Sequence, residues 1–147
     1  PVPGAVMTVP TIYVDCSAMM RELIDEIGVP AGMTVFDGDP TPAQLEALVA
    51  GAAIVLNGHT RMDAGLLATA TDLRSIVFLG TGASSYIDMA AAERSNICVR
   101  RVRGYGDRTI AEHAFGLLLA AARDTVRMDR DVRTGRWSAS EGIALQG

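Results

Sequence analysis

The sequence contains no lysine, only two cysteines and few aromatic residues, which make up 5% of the chain. Cys16 and Cys98 stand alone rather than in CxxC or CxxH pairs, so neither a thiolate metal site nor a disulfide framework is indicated. We therefore expect reduced thiols, no bound metal and a cytoplasmic location. The net charge of −4 gives the chain no overall attraction to nucleic acid or anionic lipid. No apolar run approaches the roughly 20 residues that span a bilayer, which argues against membrane insertion.

What remains is a composition typical of a soluble α/β protein, with 49% hydrophobic and 20% charged residues. Short apolar runs alternate five times with helical patterns, and this alternation predicts a doubly wound parallel sheet of five strands. We interpret these runs as too hydrophobic to have a solvent face, so we expect every strand to be covered on both faces. The predicted strands are residues 11–14, 34–36, 53–56, 76–79 and 97–102.

Helix boundaries are marked by capping residues. Ser17 and Asp88 each precede a helical pattern and can accept hydrogen bonds from its free N–H groups. Thr41 is followed by proline and, three residues on, by Gln44, which is the pattern of a capping box. Gly28 precedes Val29-Pro30, so the first helix is predicted to end there.

The last helical pattern differs from the others. A capping box at Thr109 and Glu112 predicts its start, and residues 111–122 are apolar almost all round, which requires cover on more than one side. Gly104 and Gly106 precede it and predict a hinge. We therefore divide the chain into an extension at 1–10, an α/β domain at 11–104 and a linking segment at 105–147.

Residues 73–137 resemble the D-isomer-specific 2-hydroxyacid dehydrogenase family, because a series of its motifs occurs in order and at the expected spacing. The matching segments are Leu73-Arg74-Ser75-Ile76, Gly80-Thr81-Gly82-Ala83 through Asp88, Gly104-Tyr105, Ala111-Glu112-His113-Ala114 and Arg133-Thr134-Gly135-Arg136-Trp137. This resemblance implies the flavodoxin-like substrate domain of an NAD(P)-dependent oxidoreductase, followed by a long linking helix. The reaction it implies is hydride transfer between a nicotinamide and C2 of a 2-hydroxy or 2-oxo acid.

The same resemblance implies which residues contact the ligands. Thr81, Gly82 and Ala83 would bind the substrate carboxylate through backbone N–H groups, because consecutive amides at a strand end can form an anion nest. Gly80 and Gly82 would let the chain turn sharply there with no Cβ in the way. Thr81 and Ile110 would lie at the cofactor, NAD or NADP. The rival interpretation of this loop, a GxGxxG fingerprint, lacks the third glycine because Ser85 stands there, and no acidic residue ends the following strand. Arg100 and Arg101 stand at that strand instead, which leaves an NADP site as the alternative.

Three further residues are candidates for contact with the substrate. His59 and Thr60 follow the third predicted strand, at the edge where open α/β sheets bind ligands. A loop histidine there is as compatible with a solvated surface as with a ligand contact. Arg103, with Arg101, belongs to the one basic concentration of the chain, which is either a solvated face or a binding site for an anionic substrate tail.

The resemblance places the catalytic histidine, its carboxylate partner and the substrate arginine beyond residue 147. We therefore expect these residues alone to be inactive and to bind cofactor weakly, and we expect homodimers to form through the helix from Thr109. His113 matches a structural position. A response-regulator receiver is excluded by the missing lysine, and a flavodoxin by the lack of glycine after the first strand. The remaining alternative is a non-catalytic binding or dimerisation module of the same fold.

Overall fold

A computed structural model describes residues 8–146 and contains five parallel strands in the order β2-β1-β3-β4-β5. This arrangement confirms the predicted flavodoxin-like sheet, and the bounds of the strands agree with the sequence prediction to within two residues. The strands are β1 (Thr11–Cys16), β2 (Met33–Asp37), β3 (Ile54–Asn57), β4 (Ser75–Phe78) and β5 (Cys98–Arg101).

Four helices follow the first four strands and cover the sheet unequally. They are α1 (Ala18–Ile27), α2 (Pro42–Val49), α3 (Ala64–Thr69) and α4 (Met89–Arg94). Side chains of α2, α3 and α4 share one apolar cluster with Val14, Val55 and Ile76, whereas α1 contributes Ile24 to a smaller cluster with Tyr13. The larger core therefore lies on the face that carries three helices.

The predicted caps of α1, α2 and α4 are confirmed. Ser17, Thr41 and Asp88 accept hydrogen bonds from the first turns of these helices, and Thr41 forms the full capping box with Gln44. Gly28 ends α1 at a φ of 85°, a left-handed conformation that favours glycine.

The prediction that every strand is covered on both faces is wrong for the two edge strands. In β5 only Val99 is half-buried and its other residues are exposed, while β2 has no fully buried residue. Each edge strand has one neighbour instead of two, so a helix packed over the sheet centre leaves it open to solvent. Arg100 and Arg101 on β5 are charges of the kind that discourage pairing with another chain at a free edge.

The chain divides into two compact units, the first ending at Arg103 and the second beginning at Gly104. The second unit contains two helices, α5 (Asp107–Ala122) and α6 (Thr125–Arg133). The capping box predicted at Thr109 is wrong, because α5 begins at Asp107, with Gly106 as its N-cap and no side-chain cap. Thr109 therefore lies within the first turn, and Glu112 accepts a hydrogen bond from Arg108 instead.

The break between α5 and α6 is not predicted from the sequence. Asp124 adopts a φ of 54° there, a left-handed conformation that interrupts the helix, and its carboxylate accepts a hydrogen bond from Arg127. The carboxylate of Asp131 is bound by Arg127, Arg136 and Ser138. Hydrogen bonds from Ser138 and Arg136 lower the pKa of Asp131 to about 2. Arg136, which precedes Trp137 in the last of the matching segments, thus has a structural partner, Asp131, within this unit.

The apolar residues of α5 are largely exposed. Phe115 is 60% exposed and Leu117 59%, and Trp137 after α6 is 90% exposed. The cover predicted for this helix is therefore absent within residues 8–146. No helix in that range is both long enough and apolar enough to cross a membrane.

Tyr13 on the central strand gives the fold a pH dependence that can be measured. Burial, followed by the charge of Asp15, raises the pKa of Tyr13 from 10.0 to about 12. Because the folded pKa is the higher one, the neutral hydroxyl stabilises the fold fully below pH 10, and this contribution is lost as the pH rises towards 12. We expect the free energy of unfolding of Tyr13→Phe to fall less over that interval than that of the wild type. Denaturant titrations at several pH values would measure this, with Tyr105→Phe, an exposed position, as the control; equal slopes for all three proteins would contradict it.

Candidate functional site

The carboxylate of Asp15, at the end of β1, organises the carboxyl edge of the sheet. The residue is 1% exposed. Its oxygens accept backbone hydrogen bonds from Gly58 at 2.8 Å and from His59 and Thr60 at 2.7 Å each. The Thr60 hydroxyl adds a fourth hydrogen bond at 2.9 Å. Four donors on one buried carboxylate fix the conformation of the loop that follows β3.

Asn57 holds the same loop from its other side. This residue ends β3 and is fully buried. Its side-chain nitrogen donates to the Thr60 carbonyl at 2.8 Å, and its side-chain oxygen accepts from the Thr60 N–H at 2.9 Å. Both polar atoms of a buried amide are therefore satisfied within four residues, as buried polar groups require.

His59 projects from this loop between two carboxylates. Its Nε2 lies 2.6 Å from Asp39 Oδ1, and its Nδ1 lies 3.5 Å from Asp15 Oδ2. The side chain of His59 is 51% exposed and that of Asp39 is 78% exposed. The imidazole thus stands at the surface of the edge in a defined orientation, held by a residue that follows β2.

A short parallel bridge joins the loop after β3 to the segment after β4. Met62 pairs with Ile87, and the Met62 N–H donates to the Tyr86 carbonyl at 2.8 Å. The Met62 carbonyl accepts from Asp88 at 3.0 Å. Since Met62 is completely buried, the bridge is part of the core, and it fixes the position of one loop relative to the other.

The glycine loop after β4 owes its shape to Gly80 more than to Gly82. A Cβ at Gly80 would lie 2.9 Å from the ring of Phe78, which stacks on Tyr86 at 5.5 Å between ring centroids. At Gly82 the expectation that no Cβ fits is wrong. Its φ is −95°, and a Cβ there would approach only Ser85 Oγ, at 3.9 Å.

The glycine loop contains backbone N–H groups that have no hydrogen-bond acceptor among the described residues, at two exposed residues, Thr81 and Gly82, and at Ala83, which is 2% exposed. Within residues 8–146, no protein acceptor receives a hydrogen bond from the N–H groups of Thr81, Gly82 or Ala83. The loop continues into a single turn of 3-10 helix, Ala83–Ser85, and α4 begins only at Met89. A GxGxxG dinucleotide site requires a helix directly after the glycines, and no α-helix follows them directly here.

The arginines that follow on β5 lie against this loop. Arg101 Nη1 donates to the Thr81 carbonyl at 3.2 Å. Arg100, Arg101 and Arg103 line a groove with a volume of about 530 Å³ between β5, the start of α4 and the turn at Ala83. Three arginines of the basic concentration in the sequence therefore lie beside the glycine loop.

The structure brings some of the predicted site residues together and separates others. His59, Thr60, Thr81, Gly82, Ala83 and Arg103 all belong to the first unit, whereas Ile110 belongs to the second. Thr60 gives both of its donors, the N–H and the hydroxyl, to Asp15. His113, expected to have a structural role, is exposed on α5. Among residues 8–146, no three His, Cys, Asp or Glu side chains form a group able to hold a metal ion.

Two residues of this edge are not predicted by the sequence analysis. Neither Asp15 nor Asp39 belongs to a motif or a candidate site recognised in the sequence. The available signal is an aspartate at the end of an otherwise apolar strand, since a charge in that position is buried only when donors surround it. The partner of Asp39, by contrast, lies 20 residues further along the chain, a separation that no local pattern connects.

Comparison with known proteins agrees with this architecture. The family described as D-isomer specific 2-hydroxyacid dehydrogenase, catalytic domain, matches residues 11–143. The chain belongs to this family. The glycerate dehydrogenase of Methylorubrum extorquens is 30% identical over 139 residues, which are 92% of this chain and 42% of that enzyme. The chain thus spans less than half the length of this dehydrogenase.

Solved structures of the same fold extend the comparison. A protein from Thermus thermophilus superposes with a TM-score of 0.70 at 27% identity, over 93% of this chain and 46% of the other. An acyclic imino acid reductase in complex with NADPH and D-Arg also gives a TM-score of 0.70, over 89% of this chain and 45% of its own, at 21% identity. At that identity the second likeness concerns the fold alone.

We expect removal of the Asp15 carboxylate to destabilise this dehydrogenase domain. Asp15→Ala leaves the N–H groups of Gly58 and His59 and the hydroxyl of Thr60 without their acceptor and should lower the free energy of unfolding by roughly 3 kcal/mol. Asp15→Asn keeps one acceptor oxygen and should cost about half as much. Denaturant unfolding measures both effects. Amide hydrogen exchange should also accelerate at Gly58, His59 and Thr60.

The matched control is Asp72→Asn, at an exposed aspartate away from the loop. If Asp15→Ala were as stable as this control, the carboxylate would not be what holds the loop.

Proposed function

We propose that this chain is the substrate-binding part of an NAD(P)-dependent D-2-hydroxyacid dehydrogenase, and that its glycine loop binds the carboxylate of a 2-hydroxy or 2-oxo acid. The observation that carries this proposal is the set of three consecutive N–H groups, at Thr81, Gly82 and Ala83, without a protein acceptor among the described residues. Consecutive amides at a strand end form a concave site for an anion. The substrate class, 2-hydroxy or 2-oxo acids, is inferred from the family to which the chain belongs.

The loop after β3 would form the neighbouring wall of this site. Because Thr60 donates inward to Asp15, we assign it a positioning role rather than a donor to the substrate. His59 is half-exposed at the edge and remains the side chain of this loop that we propose contacts the substrate. Asp15 and Asp39 would orient its imidazole from opposite sides.

The cofactor of the whole enzyme is proposed to be NAD or NADP, with Thr81 and Ile110 among its contacts. Family membership supports the nicotinamide, and neither form is favoured by the residues described. Hydride transfer would take place between the bound cofactor and C2 of the acid held at the glycine loop. We propose a cytoplasmic location because both cysteines, Cys16 and Cys98, are unpaired.

The carboxylate site can be tested directly on the chain as it stands. In a titration of the ¹⁵N-labelled protein with glyoxylate, we expect the amide resonances of Thr81, Gly82 and Ala83 to shift in a saturable way. The amide of Gly58 provides an internal reference because its donor is already bound to Asp15. Saturable shifts confined to other segments, or the absence of any, would place the carboxylate site outside this loop.

We also propose that these 147 residues do not catalyse the reaction alone, since the resemblance places the catalytic histidine and its partners in the remainder of the enzyme. The samples used for the titration should show no oxidation of NADH or NADPH with glyoxylate above a protein-free blank. Turnover above that blank would show that the acid–base group lies within the present chain.

We further propose that the intact enzyme is a homodimer and that α5 contributes to its interface. Phe115, Leu117, Leu118 and Leu119 are between 42% and 60% exposed, and burial of a large apolar side chain stabilises by about 1.5–3 kcal/mol. Phe115, Leu118 and Leu119 are three and four residues apart and form one apolar face of the helix, whereas Leu117 lies on the opposite side. Gly116, where a Cβ would meet nothing within 4 Å, permits close approach of a second helix.

The association should be visible by light scattering at high micromolar concentration. We expect the wild-type chain to have twice the mass of one polypeptide, and Leu118→Glu to have the mass of one, because a carboxylate cannot be buried in an apolar interface without a partner. Met19→Glu is the matched control, since Met19 is 79% exposed and lies on α1. A monomeric wild type, or equal effects of the two substitutions, would contradict pairing through α5.

A further inference from the structure

The groove beside β5 has features that the carboxylate site alone does not explain. It runs along the free edge of the sheet, and its polar lining consists of Ser84 and the three arginines at 100, 101 and 103. With a volume of about 530 Å³, it lies within the range of small-molecule sites and is larger than a two-carbon acid needs.

Charge makes this groove distinctive within the chain. The protein has 13 basic and 17 acidic residues, so an unbalanced cluster of cations is unusual for its composition. In the described part of the chain, no carboxylate lies within 4.0 Å of Arg100, Arg101 or Arg103, whereas Arg21 and Arg127 each bind two. Three guanidinium groups within four residues thus lack an internal counter-charge among the described residues.

Arg101 connects this groove with the proposed carboxylate site. Its Nη1 donates to the carbonyl of Thr81, whose own N–H belongs to the glycine loop. An arginine has five N–H donors, so one hydrogen bond to Thr81 leaves the others free for an anion. A ligand with one acidic group on the loop amides would therefore meet a second cationic site in its immediate neighbourhood.

We propose that the groove binds a second carboxylate of the substrate, so that the preferred ligand is a 2-oxo or 2-hydroxy dicarboxylic acid. Arg103 and Arg101 are the specificity-determining residues, because a guanidinium forms paired, charge-assisted hydrogen bonds with a planar carboxylate. The inference rests on the proposed function, since the first carboxylate is taken to occupy the glycine loop. It adds the class of acid, which neither that loop nor the family fixes.

The test compares two ligands of equal chain length with the purified ¹⁵N-labelled protein. 2-Oxoglutarate carries the terminal carboxylate, and 2-oxopentanoate has a methyl group in its place. At fixed ionic strength we expect both to shift the amides of Thr81 to Ala83, with 2-oxoglutarate binding about tenfold more tightly or better. Arg103→Gln should reduce this advantage to less than about threefold. Arg94→Gln, an exposed arginine of α4 outside the groove, is the matched control and should preserve the advantage.

The outcomes separate this inference from the function on which it rests. Equal affinity for the two acids would overturn the second site and leave the carboxylate loop standing. An advantage that survives in both Arg103→Gln and Arg101→Gln would also overturn it, because the groove would not be its source. Tighter binding of 3-phosphoglycerate than of 2-oxoglutarate would replace the second carboxylate by a phosphate and refute the dicarboxylate assignment. If neither oxo acid shifted the loop amides, both proposals would fail together.

Discussion

The conformation of the candidate site depends on one buried carboxylate, that of Asp15. A charged group in the interior is tolerated when hydrogen bonds replace its lost hydration, and here three N–H groups and a hydroxyl do so. The requirement acts in both directions. The carboxylate needs the loop after β3 as its source of donors, and the loop needs the carboxylate because its own N–H groups have no neighbouring strand to receive them.

The order of the strands makes this interaction possible. β1 lies between β2 and β3, so the chain leaves β1 and β3 on neighbouring positions of the sheet edge. This is the topological switch point of an open α/β sheet, where the connections diverge and ligands are commonly bound. The glycine loop belongs to the next strand, β4, and the buried bridge between Met62 and Ile87 extends the fixed geometry to it. Fixed elements thus surround a loop whose own amides remain free, which is the preorganisation that binding of an anion requires.

The two units of the chain differ in how much of their apolar surface is buried. In the first, helices bury an apolar cluster on each face of the sheet, and the open parts are polar or charged edges such as β5. In the second, Asp131 and its partners secure the segment after α6 by ionic hydrogen bonds, while α5 keeps large apolar side chains in solvent. Exposed apolar surface of this kind commonly marks a site of interaction with another surface.

The sequence by itself determined the fold class, the position of all five strands and the caps at Ser17, Thr41 and Asp88, because these follow from local periodicity and from side chains within three residues of the groups they bind. It also located the glycine loop, because this loop is recognised from its place in the order of motifs along the chain. Tertiary structure alone decided which strands lie at the edges, where the helix after Gly106 begins, and that Gly80 rather than Gly82 is the position where a side chain is blocked. It alone joined Asp15 to residues more than 40 positions away and placed Arg101 against Thr81. The physical reason is that such contacts depend on the order of strands in the sheet, and that order is set by the packing of the whole core rather than by any local pattern.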